Sequence, residues 1–293
     1  LIARPISLRA NLSEAIWPSC EAWIPRFAEA TVKRPVINQV RASLLSRWYT
    51  YLAGLLVASP IVCLNYGYAP SAESDAPALG PSDEPMRHYL QLYAFVAGAV
   101  DLEGRDLLEI SCGYGGGAAY VARRWRPRRC IGVDLTEAPL RLAKQRFASE
   151  RLGFLAGRAD RLGLAPTSFD AVLSIEASHC YPSITMFFRE VFRVLRPGGY
   201  LVLADYRPVT AIDTLNAEID QSGLRLEGER DITANILRSL EETHDQRKAW
   251  IARYGPFWLR PLMDQLAGVR GSIIYRGFLA GRIVYKRYLL RKP

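Results

Sequence analysis

The stretch "LLEISCGYGGGAAY", residues 107–120, decides the fold. A short apolar run ends on an acid, Glu109, and passes through a glycine-rich turn at 113–117 into a helix-like segment. In open α/β sheets, ligands bind beyond the carboxyl ends of the strands, near the first strand–helix crossing. Glycine at 113 and 115 lets the backbone come close to a ligand where a Cβ would clash. A second acid, Asp134, ends the next strand 21 residues after Gly113, where a carboxylate can accept both hydroxyls of a ribose. The register is not G-x-G-x-x-G and no Lys-Ser/Thr follows, which argues against a nicotinamide dinucleotide and against a phosphate-binding P-loop.

Outward from this turn, short apolar runs alternate with amphipathic segments. Strands are predicted at 106–110, 130–135 ("CIGVDL"), 153–156, 171–176 ("AVLSIE") and 200–205 ("YLVLAD"), with helices between them, which implies a parallel sheet covered on both faces. A helix is predicted over 183–195: Ser183 can cap it, Ile184, Phe187, Phe188, Val191 and Leu195 share a face, and "RPGG" at 196–199 stops it. Residues 206–293 are less regular, with a strand expected near 224–230, helices near 233–252 and 257–267, and a last strand near 281–290. On the amino-terminal side, 1–85 is expected to be a helical extension or lid with a linker, followed by the main domain at 86–293, whose 206–280 caps an acceptor pocket. Val36, Val40, Leu44 and Leu45 lie at helical spacing, and 71–85 is a Pro-, Ser- and Asp-rich linker.

The composition limits the function. With 49% hydrophobic and 23% charged residues among 293, the chain reads as globular. The net charge of +9 is concentrated at the ends: seven Lys/Arg against three acids in 1–50, and seven with no acid in 270–292. No nucleic-acid-binding signature accompanies it, so the expectation is no nucleic acid, with peripheral contact to a membrane surface left open. Five cysteines without a CxxC pair point to free thiols in a reducing, cytoplasmic compartment. Three histidines make a multi-histidine metal site improbable, and no metal is expected. The uncharged run 48–72 has an apolar part too short to span a bilayer, and Pro60 interrupts it.

"EISCGYG" (109–115) resembles motif I of the class I S-adenosylmethionine-dependent methyltransferases, with Ser111 in place of the first glycine. "GVDL" (132–135) resembles the family's ribose-binding acid and adenine contact, and "SFDAVLS" and "FFREVFRVLRPGGYLVLADYRP" its fourth and fifth strands. More narrowly, "LNYGYA", "SDEP", "EASHCYP" and "VLRPGGY" are similar to the phthiotriol/phenolphthiotriol dimycocerosate methyltransferase group, which O-methylates lipids and polyketide-like products. The resemblance implies a doubly wound α/β fold with a mostly parallel, seven-stranded Rossmann-like sheet. It implies S-adenosylmethionine as cofactor and S-adenosylhomocysteine as product. Its cofactor contacts carry over to Tyr66, Glu109, Ser111, Gly113, Gly115, Asp134, Leu135 and Glu176. Where the family often shows Gly-Asp-Ala after the third strand, this chain has Gly157-Arg-Ala-Asp160, so the adenine is read either by Asp160 or by the Ala159 N–H alone.

An oxygen nucleophile must lose a proton as it takes a methyl group, and a histidine suits that task near neutral pH. His179, in "EASHCYP" past the fourth strand, is the candidate base, and Glu176 either orients it or forms the pocket floor. Asp205 either reaches the acceptor or caps a loop. Tyr66 and Tyr68 are lid candidates. The acceptor is expected to be a hydrophobic small molecule, and the chain to be a homo-oligomer. Three competing readings remain: C-methylation of an alkene or prenyl chain, a non-methylating scaffold or cyclase that keeps the fold, and a lipid-surface module.

Overall fold

The computed structural model describes residues 61–72, 77 and 79–293. The helix expected within 36–57 and the basic residues of 1–50 lie outside them, as does Cys20. From Arg87 the chain runs α1 (Arg87–Ala97), β1 (Asp106–Ile110), α2 (Gly116–Trp125), β2 (Arg129–Asp134), α3 (Glu137–Phe147), β3 (Leu152–Ala156), β4 (Phe169–Ile175) and α4 (Ile184–Val194). It continues through β5 (Leu195–Pro208), α5 (Ile212–Asp220), β6 (Arg225–Asp231), α6 (Thr233–Glu242), α7 (His244–Tyr254), α8 (Arg260–Leu266), α9 (Ile273–Leu279) and β7 (Ile283–Arg291).

The seven strands form one sheet in the order β3-β2-β1-β4-β5-β7-β6. β1 to β5 are parallel, and β7 runs antiparallel between β5 and β6. The chain steps outward from β1 to β3 and then returns to place β4 on the other side of β1. That reversal opens a crevice between β1 and β4 at their carboxyl ends, the standard ligand position in such sheets. The expected fold class holds.

β1 is buried along its whole length, and its residues alternate between two core layers with period 2. Leu107, Ala171, Leu173, Val202 and Ala204 face one layer with α1, α2 and α6. Leu108, Ile110, Val172, Leu201 and Leu203 face the other with α4 and α5. α4 matches its sequence pattern: the Ser183 hydroxyl accepts from the Met186 N–H at 3.2 Å, and Phe187, Phe188, Val191 and Val194 are buried. Full burial of each of these large side chains stabilises the fold by about 1.5–3 kcal/mol. The helix ends at Val194, because Pro197 has no N–H to continue it.

The single helix expected over 233–252 is two. Thr243, at φ −96° and ψ 4°, separates α6 from α7; its hydroxyl donates to Ser239 O at 2.6 Å and accepts from Arg247 Nε at 2.8 Å. Such side-chain bonds compete with the helical ladder. Two helices, α5 and α9, fall where the sequence pattern suggested only irregular chain.

The turn glycines differ in what they permit. A Cβ on Gly117 would sit 1.8 Å from the Tyr93 ring, and one on Gly115 2.7 Å from Ala143. These two are needed for packing. Gly113, at φ +53°, has nothing within 4 Å of a Cβ, so open space lies beside it. Gly117→Ala is therefore expected to destabilise the protein by roughly 1–3 kcal/mol or more, the cost of overpacking a filled core. A thermal melt with an unchanged midpoint would contradict this packing.

Candidate functional site

Two clusters meet at the carboxyl edge of the sheet. The first is built on the glycine turn. Ser111 holds φ +64° and Gly115 φ +78°, both in the left-handed region. For Ser111 that conformation costs about 1–2 kcal/mol. Its hydroxyl shares a hydrogen bond of 3.0 Å with Tyr181 Oη, which lies 3.0 Å from Ser174 Oγ, and this is what a serine gains where the resembled motif has glycine.

The Asp134 carboxylate closes the turn, accepting from the Gly113 N–H at 2.9 Å and the Thr136 N–H at 2.8 Å. Burial pushes its pKa up, partly offset by these N–H donors. An ionised carboxylate is an acceptor only, with about four acceptor positions on its two oxygens, which suits a vicinal diol. Leu135 beside it is half exposed (49%). Glu109, at the end of β1, accepts from Tyr93 Oη at 2.7 Å through Oε1, while its buried Oε2 has no hydrogen-bond partner. Burial pushes Glu109 up to about 7, against the Tyr93 bond. The open space at Gly113, the diol-matched Asp134 and the unpartnered Glu109 oxygen fit an adenosyl amino acid.

Asp160 lies in the β3 loop, but its carboxylate is bound bidentately by Arg158 at 2.8 and 2.7 Å. Of the two options for reading the adenine, the Ala159 N–H is the one this pairing favours.

The second cluster joins the loop after β4 to the end of β5. His179 Nδ1 lies 2.9 Å from Asp205 Oδ1, and His179 N–H donates to Asp205 Oδ2 at 2.8 Å. Ser178 Oγ donates to the same oxygen at 2.6 Å, and Arg207 Nη1 pairs with it at 2.9 Å. Burial alone would raise the Asp205 carboxyl, but His179 and Arg207 outweigh it and hold it well below the usual carboxylate range. Conversely, burial would lower the His179 imidazole, and the facing Asp205 carboxylate lifts it well above its ordinary value. Tyr206 Oη faces His179 Nε2 at 3.1 Å.

The orienting partner of His179 is thus Asp205, not Glu176. Glu176, at φ +52°, instead accepts the Tyr66 N–H at 2.9 Å through Oε2. Burial raises its pKa to about 8, and the Asp205 charge adds to it. Glu176 therefore latches the segment 61–72 across the site. The Tyr66 carbonyl of that segment accepts from Ser239 Oγ at 2.9 Å and Arg247 Nη2 at 3.0 Å, and Tyr66 Oη donates to Leu266 O at 3.3 Å. Tyr68, the other lid candidate, stacks on Phe95 at 4.7 Å.

The sequence reading missed Arg247, a buried guanidinium that also donates to Ala267 O at 2.8 Å and stands over the Tyr89 ring. Arg247→Met is expected to cost on the order of 2–3 kcal/mol, because it leaves buried carbonyls without donors. It should also weaken cofactor binding by loosening the latch. Calorimetry and a denaturant melt check both, and a variant as stable as the parent would refute the role. Tyr206 and Tyr181 were missed as well; the only sequence signal for Tyr206 is its place beside Asp205 in "ADYRP".

Among the described residues no cluster could hold a metal, no helix is long and apolar enough to cross a membrane, and Cys63, Cys112, Cys130 and Cys180 are free thiols.

Residues 108–203 match the methyltransferase domain family. A phthiotriol/phenolphthiotriol dimycocerosates methyltransferase of Mycobacterium tuberculosis is 38% identical over 245 residues, covering 84% of this chain and 90% of that protein. A fatty-acid O-methyltransferase of Mycolicibacterium smegmatis is 35% identical over 245 residues, covering 84% and 88%. Among solved structures, the [4+2]-cyclase SpnF aligns with a TM-score of 0.64 at 22% identity over 85% of this chain and 95% of that one. The geranyl diphosphate C-methyltransferase of Streptomyces coelicolor A3(2) aligns at 0.62 and 15% identity over 86% and 97%; these two likenesses speak to the fold. With its methyltransferase domain and its likeness to curated methyltransferases over 84% of its length, the chain is an S-adenosylmethionine-dependent methyltransferase and belongs to the family of the phthiotriol/phenolphthiotriol dimycocerosates methyltransferases.

Proposed function

We propose that this enzyme methylates a hydroxyl group of a lipid or polyketide-like molecule, with the Asp205–His179 pair as the base. The observation that carries the reading is that pair at the sheet's carboxyl edge, 2.9 Å between Nδ1 and Oδ1. The bound cofactor supplies a methyl group on a positive sulfur, which an oxygen displaces in line. Asp134, Glu109 and the turn at Ser111–Gly115 hold that cofactor, and the Ala159 N–H reads its adenine. Positioning then supplies much of the rate, and the remaining demand is a place for the acceptor's proton. A neutral imidazole with its proton on Nδ1, facing Asp205, leaves Nε2 to take one.

The acceptor's hydrophobic character is argued from the walls. The rings of Tyr66, Tyr206, Phe278 and Tyr285 form one cluster beside His179, with centroids 5.5 to 6.4 Å apart. The relatives' names point the same way, to dimycocerosates and fatty acids. The same aromatic faces favour a second reading, methylation at carbon, because they could steady a carbocation.

Mass spectrometry of products from a lipid-alcohol panel with isotopically labelled S-adenosylmethionine tests both. A labelled methyl ether supports the first reading. Label on carbon, with His179→Ala changing the product pattern and not its amount, would replace it with the second.

A further inference from the structure

We propose that Tyr206 is a catalytic residue: its phenol takes the proton of an acceptor alcohol while passing its own proton to His179. This rests on the reading of His179 as the base and deepens it. The reason is geometric. His179 has two ring nitrogens, and Nδ1 is committed to Asp205. The other, Nε2, is covered by Tyr206 Oη at 3.1 Å. An acceptor hydroxyl reaches Nε2 only by displacing that phenol.

Tyr206 is not free to move. Its N–H donates to Asp205 Oδ1 at 2.8 Å, its carbonyl accepts from Arg207 Nη1 at 2.7 Å, and it is paired in register with Tyr285 of β7. Its ring lies 4.3 Å from that of His179, 5.5 Å from Tyr66, 6.2 Å from Phe278 and 6.4 Å from Tyr285. Opening the path would unpack four rings at once. The proton therefore travels through the phenol.

The acceptor O–H bond breaks and its proton bonds to Tyr206 Oη. The Tyr206 O–H bond breaks and that proton bonds to His179 Nε2. The phenol is regenerated, and the positive charge ends on an imidazolium facing the Asp205 carboxylate. Burial, with Tyr66, Cys180, Asp205 and Glu176 nearby, drives the Tyr206 phenol well above its ordinary value, so a standing phenolate is disfavoured and the two transfers are coupled. The charged and titratable groups facing the pair are Asp205 and Arg207 from β5, Glu176 and Cys180 from the loop after β4, Tyr66 from the latch and Tyr285 from β7.

A relay is useful only where the acceptor must lose a proton. That marks the acceptor as a neutral hydroxyl rather than a carboxylic acid, which arrives ionised.

Tyr206→Phe keeps the ring and removes the relay. The probes are a long-chain secondary alcohol and its more acidic trifluoromethyl analogue, with His179→Ala alongside. In Tyr206→Phe, kcat for the plain alcohol is expected to fall about 10²-fold, the low end of what a positioned proton-transfer group supplies. The analogue should lose much less, and calorimetric S-adenosylmethionine affinity should not change. A structural role would lower both alcohols equally.

Nitrogen NMR of labelled histidine in the cofactor-free protein gives a readout independent of turnover. At alkaline pH the His179 Nε2 resonance should move downfield in Tyr206→Phe, as its hydrogen-bond donor is lost. An unmoved resonance, or an unchanged kcat for the plain alcohol, overturns the relay; if His179→Ala is then inactive, the base reading survives. Full activity of His179→Ala, or no turnover of either alcohol by the parent enzyme, overturns the base reading instead, and the relay falls with it.

Discussion

Replacing His179 by alanine is expected to lower kcat for a lipid alcohol by about 10²–10⁴-fold, the contribution of a positioned general base. S-adenosylmethionine affinity should stay where it was, since neither Asp134 nor the glycine turn touches this histidine among the hydrogen bonds at the site. The pH profile carries a sign that checks the mechanism. The base must be neutral to accept a proton, and the Asp205 carboxylate lifts the imidazole well above its ordinary value of 6.5, so kcat should rise with pH through a midpoint above that value. Asp205→Asn removes the lift: the midpoint should fall while the plateau drops. The same coupling acts on stability in the opposite direction. A histidine whose folded-state pKa is raised contributes stability that is fully present below its unfolded pKa and lost as pH rises through the folded one. The enzyme is therefore expected to lose this contribution over the pH range in which it gains activity. Steady-state kinetics across pH, with a melt at each pH, measures both; a flat profile would refute the assignment.

Asp134→Ala should weaken S-adenosylmethionine binding about 10²-fold. Two hydrogen bonds from a ribose diol to an ionised carboxylate contribute about 1.5–3 kcal/mol each, less the cost of desolvating that carboxylate, and each 1.4 kcal/mol is tenfold. The alanine variant also strips the acceptor from the Gly113 and Thr136 N–H groups, so its melting temperature should fall. Asp134→Asn narrows the two effects: its single oxygen keeps an acceptor for one of the two turn N–H groups, so the melt should fall less than in the alanine variant while most of the affinity is still lost. Asp160→Ala is the contrasting case. Its carboxylate is already engaged by a half-exposed Arg158, so binding should change little. Equal losses at Asp134 and Asp160 in isothermal calorimetry would mean that Asp160 is itself a cofactor contact.

How far the sequence reached depended on the range of the interaction concerned. The periodicity of β1 to β4 and of α4, the Ser183 cap and the helix stop before Pro197 act over a few residues, and these lie within a residue or two of where the pattern placed them. So do Glu109, Gly113 and Asp134, because a turn between consecutive strands of one sheet is a local structure with a fixed spacing. The antiparallel β7 between β5 and β6 was not legible, since strand order depends on contacts between segments some 80 residues apart. Nor was the break at Thr243, where a hydroxyl bonds a residue four positions back and a buried arginine at once.

At the site, the sequence by itself determined the chemistry on offer: a glycine turn, an acid at the end of the second strand and one histidine in a loop beyond the fourth strand. Only the tertiary structure decided the partnerships, pairing His179 with Asp205 rather than Glu176, turning Glu176 to the backbone of Tyr66, and setting Tyr206 over the remaining imidazole nitrogen. The physical reason is that a side chain's proton affinity and reach are set by what lies within hydrogen-bond distance in space, and here those neighbours come from loops 26 to 110 positions apart along the chain.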